Sequence, residues 1–364
     1  MKLKLAKDKI VQGLQTVQGV IGAHATVPIL SNVLLEARDG KLSLTATDLD
    51  VTIRCAVEAT VSEEGATTLP ARRFFSIIRE LPADAIELEI DEKNTASISC
   101  GSSFFKILGL SEDEYPPLPA FESSYTYTID QSVLRDMLEK TSYAASADET
   151  RYVLNGTLFS LKGDKLTLVA TDGRRLALVE HELEFPKEAE TDMIVPTKAV
   201  TELLRVLGSE GTVKVRPTKN MVAFEVGELL LVTKLIEGTY PNFRQVIPAQ
   251  TEERIPVERE ILLGAVKRVA LLTSERSNSV RLTFSKNKVK ISVSTPDVGE
   301  AQETIPAKYS GKEISVAFNP EFIVDPLRHL TNDEVYIELS DELSPGVIKC
   351  DIPFLYVLMP MRIQ

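Results

Sequence analysis

The chain has 364 residues, 43% hydrophobic and 26% charged, with no low-complexity tract and no apolar run of membrane-spanning length. Its formal net charge of −12, taken alone, argues against a nucleic-acid partner, because an acidic surface repels phosphate. Cys55, Cys100 and Cys350 are scattered without C-x-x-C spacing, and His24, His181 and His329 do not cluster, which excludes a disulfide framework and a zinc or His-rich metal centre. The expectation is buried thiols in a reducing cytosol, with no secretory leader and no cofactor.

In chain order, the first helical pattern covers 7–22, with Ile10, Leu14, Val17 and Ile21 on one face. A strand then buries Val33, Leu35 and Ala37. Asp39-Gly40 reverses the chain, and Leu42, Leu44 and Ala46 alternate with Ser43, Thr45 and Thr47. Helix 70–81 follows, opened by Pro70 and carrying Phe74, Ile78 and Leu81 at i, i+4 and i+7.

The same text then returns. Helix 130–143 carries Leu134 and Leu138; Phe159 and Leu161 precede Gly163-Asp164; Leu166, Leu168 and Ala170 form the next strand. Helix 196–207 has Val200, Leu204 and Leu207 after Pro196. A third, worn copy has helix 257–272 with Leu263, Val266 and Ala270. Val280, Leu282 and Phe284 follow, then Lys286-Asn287, then Val289, Ile291 and Val293. Helix 319–330 repeats the face with Ile323, Leu327 and Leu330, and Pro326 inside it predicts a kink.

Lys41, Lys165 and Lys288 mark the register, with steps of 124 and 123 residues. Such units are too long for a solenoid and are domain-sized. Pro-rich seams at Tyr115-Pro116-Pro117-Leu118-Pro119 and from Tyr240-Pro241 to Pro248 place the domains at 1–122, 123–249 and 250–364. The predicted class is α+β: three similar domains, each with two helices packed on one side of an antiparallel sheet.

Charge is unevenly divided. The six predicted helices hold 13 Lys and Arg against 10 Asp and Glu, leaving 28 against 43 for the rest of the chain. If the helices line one common surface, that surface attracts DNA while the remainder stays acidic. The signal is weakest in helix 319–330, where Arg328 stands against Glu321 and Asp325.

Several strings carry a family resemblance: Pro28-Ile29-Leu30, Gly65-Ala66-Thr67-Thr68 with Pro70-Ala71-Arg72, Arg151-Tyr152 with Leu154-Asn155-Gly156, Ala170-Thr171-Asp172-Gly173, and Tyr356-Val357-Leu358-Met359-Pro360-Met361-Arg362. They run the length of the chain in order. Through them the sequence resembles the bacterial sliding clamp, the β subunit of DNA polymerase III. The resemblance implies a non-catalytic processivity factor: a head-to-tail homodimer whose six domains close a ring around double-stranded DNA without reading its sequence. It also implies partners among polymerase subunits, the clamp loader and repair proteins, docking through short motifs with Gln and bulky apolar residues.

By the same resemblance the DNA-contacting positions are His24, Arg72, Asp148, Tyr152 and Val153. Here the chain departs from the pattern: His24 replaces a strong cation, Asp148 an amide and Val153 a second tyrosine. The implied peptide pocket comprises Leu154, Thr171, Gly173, Arg175, Leu176 and Pro241, with Val246, Leu343, Val357, Met359, Pro360 and Met361. Methionines suit a surface that accepts several ligands. Arg175 is expected to hold a polar group of the peptide, and Gln245 stands where the family often has a second arginine. The implied dimer seam is Phe105 and Ile107 against Leu271 and Leu272.

A rival enzymatic reading takes Asp172, beside Arg174 and Arg175, as a nucleophile or metal ligand. Asp48 holds the same repeat position and Asp297 ends the third block, so recurrence at strand ends favours a turn former. No phosphate-loop, zinc-protease or nucleophile-elbow motif is present. A repeat scaffold or adhesin that never meets DNA is the third reading.

Overall fold

The computed structural model describes residues 1–22, 27–82, 85–119, 121–274, 278–296 and 298–362. The chain divides into two compact units, Met1–Arg135 with Lys198–Leu235, and Asp136–Thr197 with Ile236–Gln364. Six α-helices occur among the described residues: α1 (Lys7–Val17), α2 (Ala71–Glu80), α3 (Gln131–Glu139), α4 (Thr197–Val206), α5 (Arg259–Val269) and α6 (Pro320–His329). The longer predicted helices shorten because their last turns tighten to 3-10 segments, at Gln18–Val20, Ser142–Ala144 and Ala270–Leu272.

The first unit holds an antiparallel sheet of eight strands, in the order Tyr127–Asp130, Thr212–Pro217, Met221–Val226, Leu229–Lys234, Val51–Glu58, Lys41–Thr47, Asn32–Arg38, Gly65–Pro70. A five-stranded sheet, ending at the edge strand Ser103–Leu108, completes the unit. The eight-stranded sheet therefore joins four strands of the first repeat to four of the second, through the pairing of Val51–Glu58 with Leu229–Lys234.

The second unit repeats the plan. Its eight strands run Thr191–Pro196, Gly156–Leu161, Lys165–Thr171, Arg175–Glu182, Phe354–Leu358, Gly346–Lys349, Glu334–Leu339, Glu253–Glu258. Its second sheet has four strands and ends at the edge strand Gly299–Pro306.

Each alternating set lands in the core. Val33, Leu35, Ala37, Leu42, Leu44 and Ala46 are fully buried, as are Leu166, Leu168 and Ala170, and Val280, Phe284, Val289 and Ile291. Each Val, Leu, Ile or Phe side chain among these stabilises by about 1.5–3 kcal/mol when fully withdrawn from water. Asp39-Gly40 and Gly163-Asp164 both reverse with two positive φ angles, the geometry of a type I′ hairpin turn; in the third copy Asn287 has a positive φ and Lys286 does not.

Helix α1 lies against the strands at Lys41–Thr47 and Val51–Glu58 and packs on α2; α5 packs on α6. The close approach of α1 needs Gly13, where a Cβ would come within 2.6 Å of Leu44 Cδ1. One expectation changes. In α4 the fully buried residue is Leu203, with Leu204 half-buried, because the helix presents Val200, Leu203 and Leu207 inward. Helix α6 runs through Pro326 to His329, capped by Asn319, whose side chain accepts from the Glu321 N–H.

Candidate functional site

The strand Lys165–Thr171 buries residues on both faces, Val169 and Thr167 as well as Leu166, Leu168 and Ala170; its first-repeat counterpart does so too, but with Thr45 where this strand has Val169. The face opposite Phe159 and Leu168 carries an apolar cluster of Leu154, Leu158, Val169, Leu176, Leu178 and Ile194, joined by Tyr240 and Val357. Val153, Ile236, Phe243, Ile247 and Leu355 pack around it. Sequence reasoning anticipated Leu154, Leu176 and Val357 here and missed the other five buried members. A signal was available for Val169 alone, in the run Leu168-Val169-Ala170, where apolar residues break the alternation.

A tight turn at Thr171–Arg175 borders the cluster. Asp172 Oδ1 accepts from the N–H groups of Arg174 at 2.8 Å and Arg175 at 3.0 Å. The Thr171 hydroxyl donates to Arg175 O and accepts from Gly173 N–H. Gly173 adopts φ +85°, and a Cβ there would meet an Arg151 nitrogen at 2.9 Å. Asp48 closes the equivalent turn of the first repeat in the same way, with Thr47, Leu49 and Val51 in the matching roles. Asp172 is thus a turn former, as its recurrence predicted. Asp297 lies outside the described residues.

Arg175 is fully engaged inside the protein. It donates to Asp172 Oδ2 at 3.1 Å, Asp325 Oδ2 at 2.6 Å and Tyr143 O at 2.7 Å. Its guanidinium lies 4.6 Å from the centre of the Phe322 ring. Its side chain is 12% exposed and two carboxylates balance its charge. Sequence reasoning missed Asp325 and Phe322 as its partners, since they lie about 150 residues away on α6.

The C-terminal residues are tied beside this turn. Met359 N–H donates to Arg174 O at 2.9 Å, and Met361 N–H to Ala317 O at 2.8 Å. Both methionine side chains are exposed, at 42% and 39%, and Pro360 is half-buried. Val246 and Pro241 are exposed on the segment that follows Tyr240, as is Gln245. Leu343 is exposed on a separate turn closed by Asp341.

Among the candidate DNA contacts, Arg72 is exposed on the first turn of α2 and Tyr152 is 59% exposed. Asp148 caps the 3-10 segment Glu149–Leu154, accepting from the Thr150 hydroxyl and N–H. The Thr150 hydroxyl, then the Thr150 N–H, hold its carboxyl below the ordinary range. Arg151, 3.8 Å away, balances its charge. Val153 packs against the apolar cluster. His24 lies outside the described residues. Of the seam candidates, Phe105 and Leu271 are exposed and Leu272 is half-buried, but Ile107 is buried, further along the same face of the edge strand as Phe105.

Three family profiles match in succession: the N-terminal domain of the DNA polymerase III beta subunit over residues 1–119, its central domain over 128–242 and its C-terminal domain over 244–362. The beta sliding clamp of Chlamydia muridarum is 37% identical over 364 residues, covering 100% of both chains. That of Escherichia coli K12 is 35% identical over 370 residues, again with full coverage of both. The solved sliding clamp of Bartonella birtlesii, bound to griselimycin, superposes with a TM-score of 0.96 at 33% identity, covering 100% of each chain. The Thermotoga maritima beta subunit gives 0.92 at 30% identity with the same coverage.

Proposed function

Because the chain belongs to the bacterial DNA polymerase III beta subunit family, the sliding clamps, we propose that it works as a homodimeric ring threaded by duplex DNA. It is a processivity factor that tethers polymerases. The observation that carries this reading is the match of three consecutive clamp domains, at 1–119, 128–242 and 244–362. The domains are placed at 1–122, 123–249 and 250–364.

The ring needs no base readout. It holds DNA by topology and diffuse phosphate attraction, which permits sliding. Arg72 and Tyr152 are the exposed side chains assigned to the DNA; Asp148 repels phosphate, less so for its pairing with Arg151. Polymerase subunits, clamp loader and repair proteins dock by short apolar motifs with Gln on the surface of Met359, Met361, Val246 and Pro241, above the cluster around Val169. A few apolar anchors carry most of the energy of such contacts. The chain is non-catalytic, acts in the cytoplasm and uses no cofactor. Among the described residues no helix is long and apolar enough to cross a membrane.

The direct test is primer extension on a circular template with the cognate polymerase, loader and ATP. Adding this protein should lengthen products per binding event severalfold; product lengths that do not change would dismiss the reading.

A further inference from the structure

The three repeats share one strand ladder, so equivalent positions can be read across it. In the second repeat a single cross-strand row runs Ile194, Leu158, Val169, Leu178, on the face opposite Phe159 and Leu168. The same row in the first repeat reads Thr68, Leu34, Thr45, Arg54. In the third it reads Ala317, Arg281, Ser292, Gln302. The central pair of the inward row is apolar in all three copies, Leu35–Leu44, Phe159–Leu168 and Leu282–Ile291; the outward row is wholly apolar in the second alone. Directly opposed side chains are the unit that decides what a sheet face can pack against.

The first repeat shows what the polar row does instead. Tyr115, the counterpart of Tyr240 in a repeated Tyr-Pro pair, donates its hydroxyl to the carbonyls of Thr45 at 3.2 Å and Asn32 at 3.4 Å. Asn32 donates to Thr68 Oγ1 at 2.9 Å, and the Thr47 and Thr52 hydroxyls pair at 2.8 Å. Arg54 pairs with Glu36 at 3.4 Å. On the face where the second repeat carries its eight-residue apolar cluster, the first thus has these hydrogen bonds beside a smaller cluster of Ile29, Leu30 and Tyr115 with Leu34 against it. In the third repeat Arg281 and Gln302 are exposed on that row.

We propose that the row Ile194–Leu158–Val169–Leu178 is what confers peptide binding on the second repeat, and that its polar counterparts leave the first and third repeats blank. Val169, fully buried at the centre of the cluster with Leu154, Leu176 and Val357, is a positioning residue: it touches no ligand and sets the depth and dryness of the site above it. A hydroxyl there takes a polar atom into an apolar setting without a partner and draws water beneath the anchors. The proposal rests on the peptide-docking reading given above.

The test is a titration of a fluorescent peptide carrying Gln and bulky apolar residues against the intact protein and two Val→Thr variants. Wild type should bind one peptide per chain; two or three sites per chain would overturn the claim that the polar rows are blank. Val169→Thr, which copies Thr45, should raise Kd about tenfold, and the loss should shrink when the apolar residues of the peptide are alanine. Val169→Ile should restore binding to within about twofold. Val289→Thr, at a fully buried position on the inward row of the third repeat, should lower the thermal midpoint and leave Kd unchanged. Equal Kd for Val169→Thr and wild type would overturn the proposal while the docking reading stood. No binding by wild type would overturn both. Should Val169→Thr fail to fold, the one-per-chain count on wild type still decides.

Discussion

Arg175, expected to hold a polar group of a peptide, is also a strut within the fold. Its donors go to Asp172, Asp325 and the Tyr143 carbonyl, and its face covers Phe322. Stripping one partner from a pair this far withdrawn from water strands the other charge, a loss commonly near 3–5 kcal/mol when burial is complete. Asp325 is 24% exposed and Asp172 remains, so Asp325→Ala should cost about 2 kcal/mol. The exposed pair of Lys2 with Glu89 sets the comparison: Glu89→Ala should change stability by under about 1 kcal/mol. Urea unfolding of both variants checks this, and equal midpoints would remove the strut. Arg72 is the opposite case, an exposed cation on the first turn of α2. Arg72→Ala should weaken DNA association and lower the slope of log affinity against log salt by about 1. An unchanged slope at low salt would take Arg72 out of the DNA surface.

The turns at Asp48 and Asp172 are the same device with different anchors. Asp172 grips Arg175 three residues on, whereas Asp48 accepts from Lys198 on α4, which also donates to Val20 O. Burial pushes the Asp48 carboxyl up, but Lys198 and the N–H groups of Val51 and Asp50 outweigh it, so the net shift is downward. A depressed carboxyl stabilises the fold above its unfolded value, near 3.9, and that stability fades as pH falls through the lower folded value. Thermal melts from pH 7 to about pH 2.5 should therefore show Asp48→Asn below wild type at neutral pH and converging with it in acid. Parallel curves would exclude the ion pair as the cause. These elements also show what the sequence makes legible. Period-2 burial of Leu42, Leu44 and Ala46 follows from local alternation, and so did the helix faces, to within Leu203 for Leu204. The floor at Val169 was not legible by that rule, because its partners Leu158, Leu178 and Ile194 come from three strands and meet only in the ladder. The pairing of Arg175 with Asp325 was hidden for the same reason, lying across 150 positions of chain.

Triplication predicts assembly because each chain ends its small sheets in edges that want partners. Ser103–Leu108 is the terminal strand of the five-stranded sheet, with Phe104, Phe105 and Leu108 exposed at 62%, 41% and 74%. Gly299–Pro306 is the terminal strand of the four-stranded sheet, and the 3-10 segment ending at Leu272 leaves Leu271 79% exposed. Long apolar edges are an aggregation hazard unless something pairs with them. The two edges are different surfaces, so a contact between them is head-to-tail, and such contacts either close into a ring or propagate as a filament. Three domains per chain in a closed dimer give the sixfold pseudo-repeat that the family resemblance implies. Light scattering on the eluting protein should then give a single species at twice 40.2 kDa. Leu271→Glu with Leu272→Glu places two charges on the apolar seam of each contact and should shift the sedimenting species to the monomer mass. A discrete dimer that survives the double substitution would move the seam elsewhere, and a ladder of larger species in wild type would replace closure with open growth.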